Sequence, residues 1–222
     1  MKYLVTTLFL FIAFCCSSQF IKSGQWRGVI SYDSAEVPFI FEVGYPSGDS
    51  PEITILNGSD RRVIKNVEIK DDSIIVPLDP FDVEIRASFS AMGMSGVYNK
   101  YYRDLSIPFK ADFGRTRMKK NSVRPFAPIE ERWSITFSPE TPGMSKGVGL
   151  FKQQGHIVSG TIMTEVSDYR FFEGILDGDS MKLSCFDGAH AFAFLGKRSP
   201  EGWSGEMIYD NEKSKDKEDK NN

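Results

Sequence analysis

An all-β fold follows from three observations. Apolar and polar residues alternate with period two in short runs. Gly, Asp, Asn and Pro interrupt these runs about every 8–12 residues, and no segment keeps a helical period over several turns. The third observation is a turn-strand pattern used twice. It first reads Asp72-Ser73-Ile74-Ile75-Val76, then Phe81-Asp82, Phe89 and Ser95-Gly96. It then reads Asp179-Ser180-Met181-Lys182-Leu183, Phe186-Asp187, Phe192 and Ser204-Gly205. The order is kept if small insertions and deletions are allowed, which implies a duplicated unit. The expected architecture is therefore two similar antiparallel β-meanders of about twelve strands in all. They form a barrel-like or sandwich domain. The barrel is favoured because consecutive strands with short turns pair with their neighbours.

The elements follow in order. Gln25 to Tyr32 reads as the opening strand, and Val37, Phe39, Phe41 and Val43 form the apolar face of the next. Tyr45 to Pro51 is a loop by its Pro, Gly, Ser and Asp content. Strands are expected at Ile53–Leu56, Val63–Ile69, Ile74–Pro77 and Val83–Phe89, with turns at Asn57-Gly58 and Asp71-Asp72. Gly93 to Tyr98 closes the first half. Residues 99–130 break the rhythm with Pro108, Pro125 and Pro128 and an excess of Lys and Arg. They read as a connection with one edge strand near Leu105–Phe109 that covers exposed sheet edges. Trp133-Ser134-Ile135-Thr136-Phe137 opens the second half. Gly147–Lys152, His156–Met163, Tyr169–Ile175, Met181–Cys185, Ala189–Leu195 and Trp203–Ile208 continue it as an up-and-down series.

The N-terminus has the form of an export signal. Met1-Lys2 supplies charge, Tyr3 to Phe14 is an apolar run, and Cys16-Ser17-Ser18 offers small residues ahead of Gln19. Lipid attachment at Cys15 or Cys16 is the alternative outcome and the one route to a membrane. The organisation expected is a signal peptide at 1–18, a first half at 19–98, a connecting segment at 99–130, a second half at 131–208 and a charged, disordered tail at 209–222. After cleavage Cys185 is the one cysteine left, so an exported chain of this size rests on its core and not on disulfides.

Composition narrows the function classes. Aromatics reach 13% of the 222 residues and net charge is −3, which gives no general attraction to nucleic acid. The basic stretch Lys100–Arg124, with Tyr101, Tyr102, Phe109 and Phe113, reads as a loop packed by its aromatics. No Cys-x-x-Cys, Gly-x-Ser-x-Gly, phosphate loop or His-based metal spacing occurs, so neither catalysis, a cofactor nor a metal is expected. Cys185 shares strand parity with Met181 and Leu183 and is expected to be buried and inert. His190 shares parity with Phe192 and Phe194 and reads as an interior, hydrogen-bonded histidine. Its functional alternative is a base or ligand oriented by Asp187. Asp168, Glu173 and Asp187 are the acids that a glycoside-cleaving pair would draw on. Asp33-Ser34-Ala35, Asp72-Ser73-Ile74 and Asp179-Ser180-Met181 also look like a short O-glycosylation signal of Bacteroidota.

Several ordered motifs carry a family resemblance. They are Gly24-x-Trp26-Arg27-Gly28 with Val37-Pro38-Phe39, Ile55-x-Asn57-Gly58, Gly160 to Thr164, Asp168 to Gly174, Gly178 to Phe192 and Ser204-Gly205-Glu206. Together they resemble the N-terminal β-rich region of exported TlpA-like thiol-disulfide proteins of Bacteroidota, over about residues 24–208. In that family a thioredoxin-like domain with the redox Cys-x-x-Cys follows, and this chain has no residues onto which it maps. The resemblance implies a β-rich accessory module of the periplasm or outer membrane. The expected function is a non-catalytic binding or interaction module. Its partner is a small ligand or an envelope protein, a thioredoxin-like protein among them. The expected site is a barrel mouth or a groove between halves, lined by Trp26, Tyr169 and Phe192, with Arg170, Asp187 and His190 supplying polarity. A remnant or partner of a thiol-disulfide oxidoreductase and a carbohydrate-active enzyme are the alternatives.

Overall fold

The computed structural model describes residues 20–118, 128–139, 141–210 and 212–213. The signal segment, both N-terminal cysteines, most of the charged tail and residues 119–127 of the connection lie outside them. The fold is all-β, with two antiparallel sheets curled into half-barrels. The first contains β1 (Gly24–Ser31), β2 (Glu36–Gly44), β3 (Glu52–Asn57), β4 (Asp60–Ile64), β5 (Glu68–Lys70), β6 (Ser73–Pro77), β7 (Val83–Phe89), β8 (Gly93–Lys100) and β9 (Leu105–Phe113). The second contains β10 (Arg132–Phe137), β11 (Ser145–Gln154), β12 (Ile157–Thr164), β13 (Asp168–Asp177), β14 (Ser180–Phe186), β15 (Ala191–Ser199), β16 (Gly202–Tyr209) and the two-residue β17 (Glu212–Lys213).

Seventeen strands are described against an expected twelve, and two segments differ in kind from their sequence reading. The run read as one strand at 63–69 is divided into β4 and β5 around Lys65-Asn66-Val67. The stretch read as a connection supplies β9, which is no edge strand. It lies between β1 and β8 and pairs with both. Its alternation is plain once Pro108 and the charges are seen to face outward: Ile107, Phe109 and Ala111 are buried, while Ser106, Pro108 and Lys110 are exposed.

The order in the first sheet is β4-β3-β2-β1-β9-β8-β7-β6-β5. Its two outer strands are successive pieces of one run, so the chain itself spans the seam between them. Counting β4 and β5 as one leaves eight strands, the number at which side chains just fill a barrel interior. In a flat sheet β3 and β6 would lie ~29 Å apart. Instead Ile53 and Ile55 share one cavity of about 20 Å³ with Ile74 and Val76. That cavity is lined by apolar side chains alone, so it offers a water no partner.

The second sheet is a plain meander from β10 to β17. The duplication is real at the level of hydrogen bonds. Phe89 N–H donates to Asp72 O at 2.8 Å, and Arg198 N–H donates to Asp179 O at 2.8 Å. Gly96 pairs with Ala87, and Gly205 pairs with Gly196. A Cβ at Gly96 would overlap the Arg86 carbonyl, and one at Gly205 would overlap the Leu195 carbonyl. Glycine is required at both because the neighbouring strand's backbone leaves no room for a Cβ. The meander β6-β7-β8 is thus repeated as β14-β15-β16.

The halves dock through β14 and β15 on β2. Phe186 enters the first core, 4.2 Å from Phe39 and 5.6 Å from Tyr98 between ring centres. Ser184 Oγ donates to Pro38 O (2.6 Å), Tyr98 Oη to Ala189 O (2.6 Å) and Tyr32 Oη to Ala191 O (3.0 Å). Burial pushes both tyrosine pKa values up, so these hydroxyls stay donors. Lys100 is 1% exposed, and its Nζ meets both Asp210 oxygens at 2.7 Å. Arg103 Nη1 adds a third contact at 2.9 Å.

Candidate functional site

The inward face of the second sheet is half filled. In β10 the inward residues Trp133, Ile135 and Phe137 are all partly exposed, and Phe192 and Phe194 of β15 are too. All of these except Phe192 border an open trough of about 580 Å³, together with Phe151, Trp203 and Met207. Trp133 and Trp203 stack across it, with ring centres 5.7 Å apart and planes 18° off parallel. A flat sheet would hold β10 and β16 ~29 Å apart, so this contact also measures the curl. Trp133 Nε1 donates to Glu130 O at 2.9 Å, and Arg198 spans the same end by donating to Pro128 O at 2.8 Å.

At the other end the trough meets an aromatic rim. Phe137 lies 6.2 Å from Tyr169, which stands edge-on to Phe192 at 5.1 Å. Phe192 in turn contacts Tyr209 at 6.0 Å and stacks on His190 at 5.8 Å. His190 Nδ1 lies 3.1 Å from Asp187 Oδ2, while Asp187 Oδ1 accepts the Ala189 and His190 backbone N–H groups. Burial works against the ionised Asp187 carboxylate. The His190 contacts and the Ala189 N–H outweigh it, and the pKa falls below the usual carboxylate value.

The six residues read from the sequence separate clearly. Tyr169, Asp187, His190 and Phe192 form this rim. Trp26 does not join them. It is fully buried in the first core, stacked on Phe41, with its ring N–H donated to Lys22 O. Arg170 points away from the trough and pairs with Asp168 at 2.9 Å. His190 is not the interior histidine its parity suggests, because its side chain is 48% exposed. It sits just before β15, where the turn lifts it out of the strand's face.

Cys185 is buried as expected. Its S–H donates to Arg170 O (2.9 Å), and Asn57 Nδ2 donates to the sulfur (3.3 Å). Burial pushes the thiol up to about 11. The three acids singled out from the sequence each have a separate partner: Asp168 pairs with Arg170, Glu173 with Arg117 at 3.3 Å, and Asp187 meets the His190 ring. Sequence reasoning missed Trp133, Phe194 and Trp203 as site residues. Their alternation was legible, but a strand that buries its inner face fully and one that leaves it half open read alike.

No family model matches the chain, and no curated protein or solved structure is significantly similar to it.

Proposed function

We propose that this protein is an exported, non-catalytic binding module of the bacterial cell envelope, and that the aromatic trough of its second half is the site. The observation that carries the reading is the contrast between two related interiors. In one, Trp26, Phe39 and Phe109 are buried; in the other, Trp133, Phe137, Phe194 and Trp203 stay half-exposed along an open groove. Aromatic side chains left partly wet in a concave site offer large apolar area with few polar constraints, the usual make-up of a ligand pocket. The resemblance to the accessory region of TlpA-like proteins supports the envelope location and a partner within thiol-disulfide metabolism. Direct thiol chemistry would need Cys185 as the nucleophile, and its burial and raised pKa count against that.

The test is a titration of the native protein with the amphipathic anionic dye 1-anilinonaphthalene-8-sulfonate, whose aromatic body seeks apolar surface. One dye should bind per chain. Trp133→Ala and Trp203→Ala should each weaken it about tenfold, the effect of losing roughly 1–1.5 kcal/mol of ring contact. A native protein that binds no dye, or binds it equally well without these rings, would sink the reading.

A further inference from the structure

The shape of the trough follows from arithmetic on strand directions. Every neighbouring pair from β10 to β16 is antiparallel. The first and seventh strands of the series therefore run in the same direction. They cannot pair antiparallel with each other, and one further strand opposite to both is needed to close the ring. The first half has that strand. It is β9, which follows β8 and lies antiparallel between β8 and β1. By the repeat, β8 corresponds to β16, so the counterpart of β9 is β17. Among the described residues that strand pairs at Ile208↔Lys213 and Tyr209↔Glu212.

The edges left open can be identified residue by residue. Phe151 N–H donates to Glu131 O, which aims the backbone groups of Glu131, Trp133 and Ile135 at β11. Those of Ser134 and Thr136 therefore point into the slot between β10 and β16. Arg198 N–H donates to Asp179 O, so the even residues of β15 bond to β14 and the odd ones bond to β16. The slot side of β16 is then presented by Trp203, Gly205 and Met207. Among the described residues no strand pairs with either stretch.

The chain's own continuation is poorly suited to fill this slot. The residues after Lys213 are Ser, Lys, Asp, Glu and Asn only. A strand in this position must turn every second side chain onto Trp133, Phe194 and Trp203. In the first half β9 meets the same demand with Ile107, Phe109 and Ala111.

We infer that the slot between β10 and β16 takes an extended segment of a partner protein, antiparallel to both edges and apolar at alternate positions. The inference rests on the trough being the binding site and names the class of ligand. Backbone pairing on both sides supplies affinity, and the alternating side chains supply choice of partner.

The probe is a capped nine-residue peptide with the β9 sequence Leu105–Phe113 and Pro108→Thr, which restores the missing donor. It should bind one per chain by fluorescence anisotropy and protect the Ser134, Thr136 and Gly205 amides from hydrogen exchange. N-methylation at two alternate amides keeps the side chains and removes two donors. Binding should then fall about 25-fold, roughly fivefold per lost bond. Ser134→Pro removes one slot donor without touching the β11 ladder and should cost about fivefold. Dye binding without peptide binding overturns this inference and leaves the trough reading standing. Equal binding of the N-methylated peptide overturns it too, because the trough would then accept apolar groups without strand pairing. Slot amides already protected in the free protein would mean that the tail or a second copy fills the slot, which overturns it as well. Failure of the dye in addition removes both readings.

Discussion

The two halves of this molecule start from one plan and end in different states. In the first, the strand after β8 is nine residues long and seals the ring against β1. In the second, the described residues after β16 supply only the two-residue β17, and no described strand bridges β16 and β10. The packed core of the first half and the half-exposed aromatics of the second go with that difference. Trp26 is fully buried in the sealed half, whereas Trp133 and Trp203 keep part of their surface in water. Filling a barrel is thus decided by strand number before it is decided by side-chain size.

Substitutions can break or sharpen this contrast. The largest effect is expected from Trp26→Ala, which should cost about 3–5 kcal/mol in denaturant unfolding as a large buried ring is lost. Trp133→Ala in the open half should cost less than half as much, and equal costs would mean that the second interior is as solid as the first. Asp210→Ala comes next. It leaves Lys100 buried and without its carboxylate, at about 3 kcal/mol. Because the pair joins the halves, its loss should also split a single unfolding transition into two.

Gly96→Ala and Gly205→Ala should each destabilise by about 1–3 kcal/mol, since the new methyl meets a neighbouring carbonyl in both halves. Costs of similar size would support the same crowding in both, and a harmless Gly205→Ala would break the equivalence. Smaller effects are read by pH. The Cys185 pKa is raised from 9 to about 11 in the fold, so the unfolded chain ionises first. Stability should decline as pH rises between those values, and Cys185→Ala should remove the part that begins near pH 9, leaving the part above pH 10 to the buried Tyr32 and Tyr98. In the protein lacking residues 1–18 an aromatic disulfide reagent should find no reactive thiol at neutral pH until the chain unfolds. Asp187 shifts the other way. Its contribution is present above the ordinary carboxylate pKa and is lost as pH falls through the lower folded value, so Asp187→Asn should flatten the acid limb.

Much of this was legible in the chain, and the exceptions have physical causes. The Asp-Ser turns and the Ser-Gly pairs mark the same places in both halves because turn geometry and backbone crowding admit few residues. The repeated phenylalanines misled. The register that takes Gly96 to Gly205 takes Phe89 to Arg198 and Phe81 to His190, so the matching letters are not equivalent positions. Phe81 and His190 instead stand at the tips of equivalent hairpins and touch, with ring centres 6.1 Å apart. Trp26 was read as a site residue because an aromatic at a strand start looks the same whether its ring closes or not. A strand at Leu105–Phe109 is legible, but Pro108 and the charges make it read as an edge, although a strand between β1 and β8 tolerates them on its outward face. The trough could not be read from any local pattern, since it arises from the direction of two strands far apart in the sequence.

Arg62 belongs to neither interior, yet it ties its own strand to two other segments at once. Its guanidinium donates to Asp187 O at 2.8 Å, to Leu78 O at 3.2 Å and to Asp79 O. It therefore rivets the β4 side of the first seam to the tip of the β6–β7 hairpin and to the tip of the β14–β15 hairpin. Those two tips are the repeat's matching corners. A shift of the rim around His190 on ligand entry would be felt at the seam of the opposite half through a single planar cation, which makes the quiet half a place to listen for events in the open one.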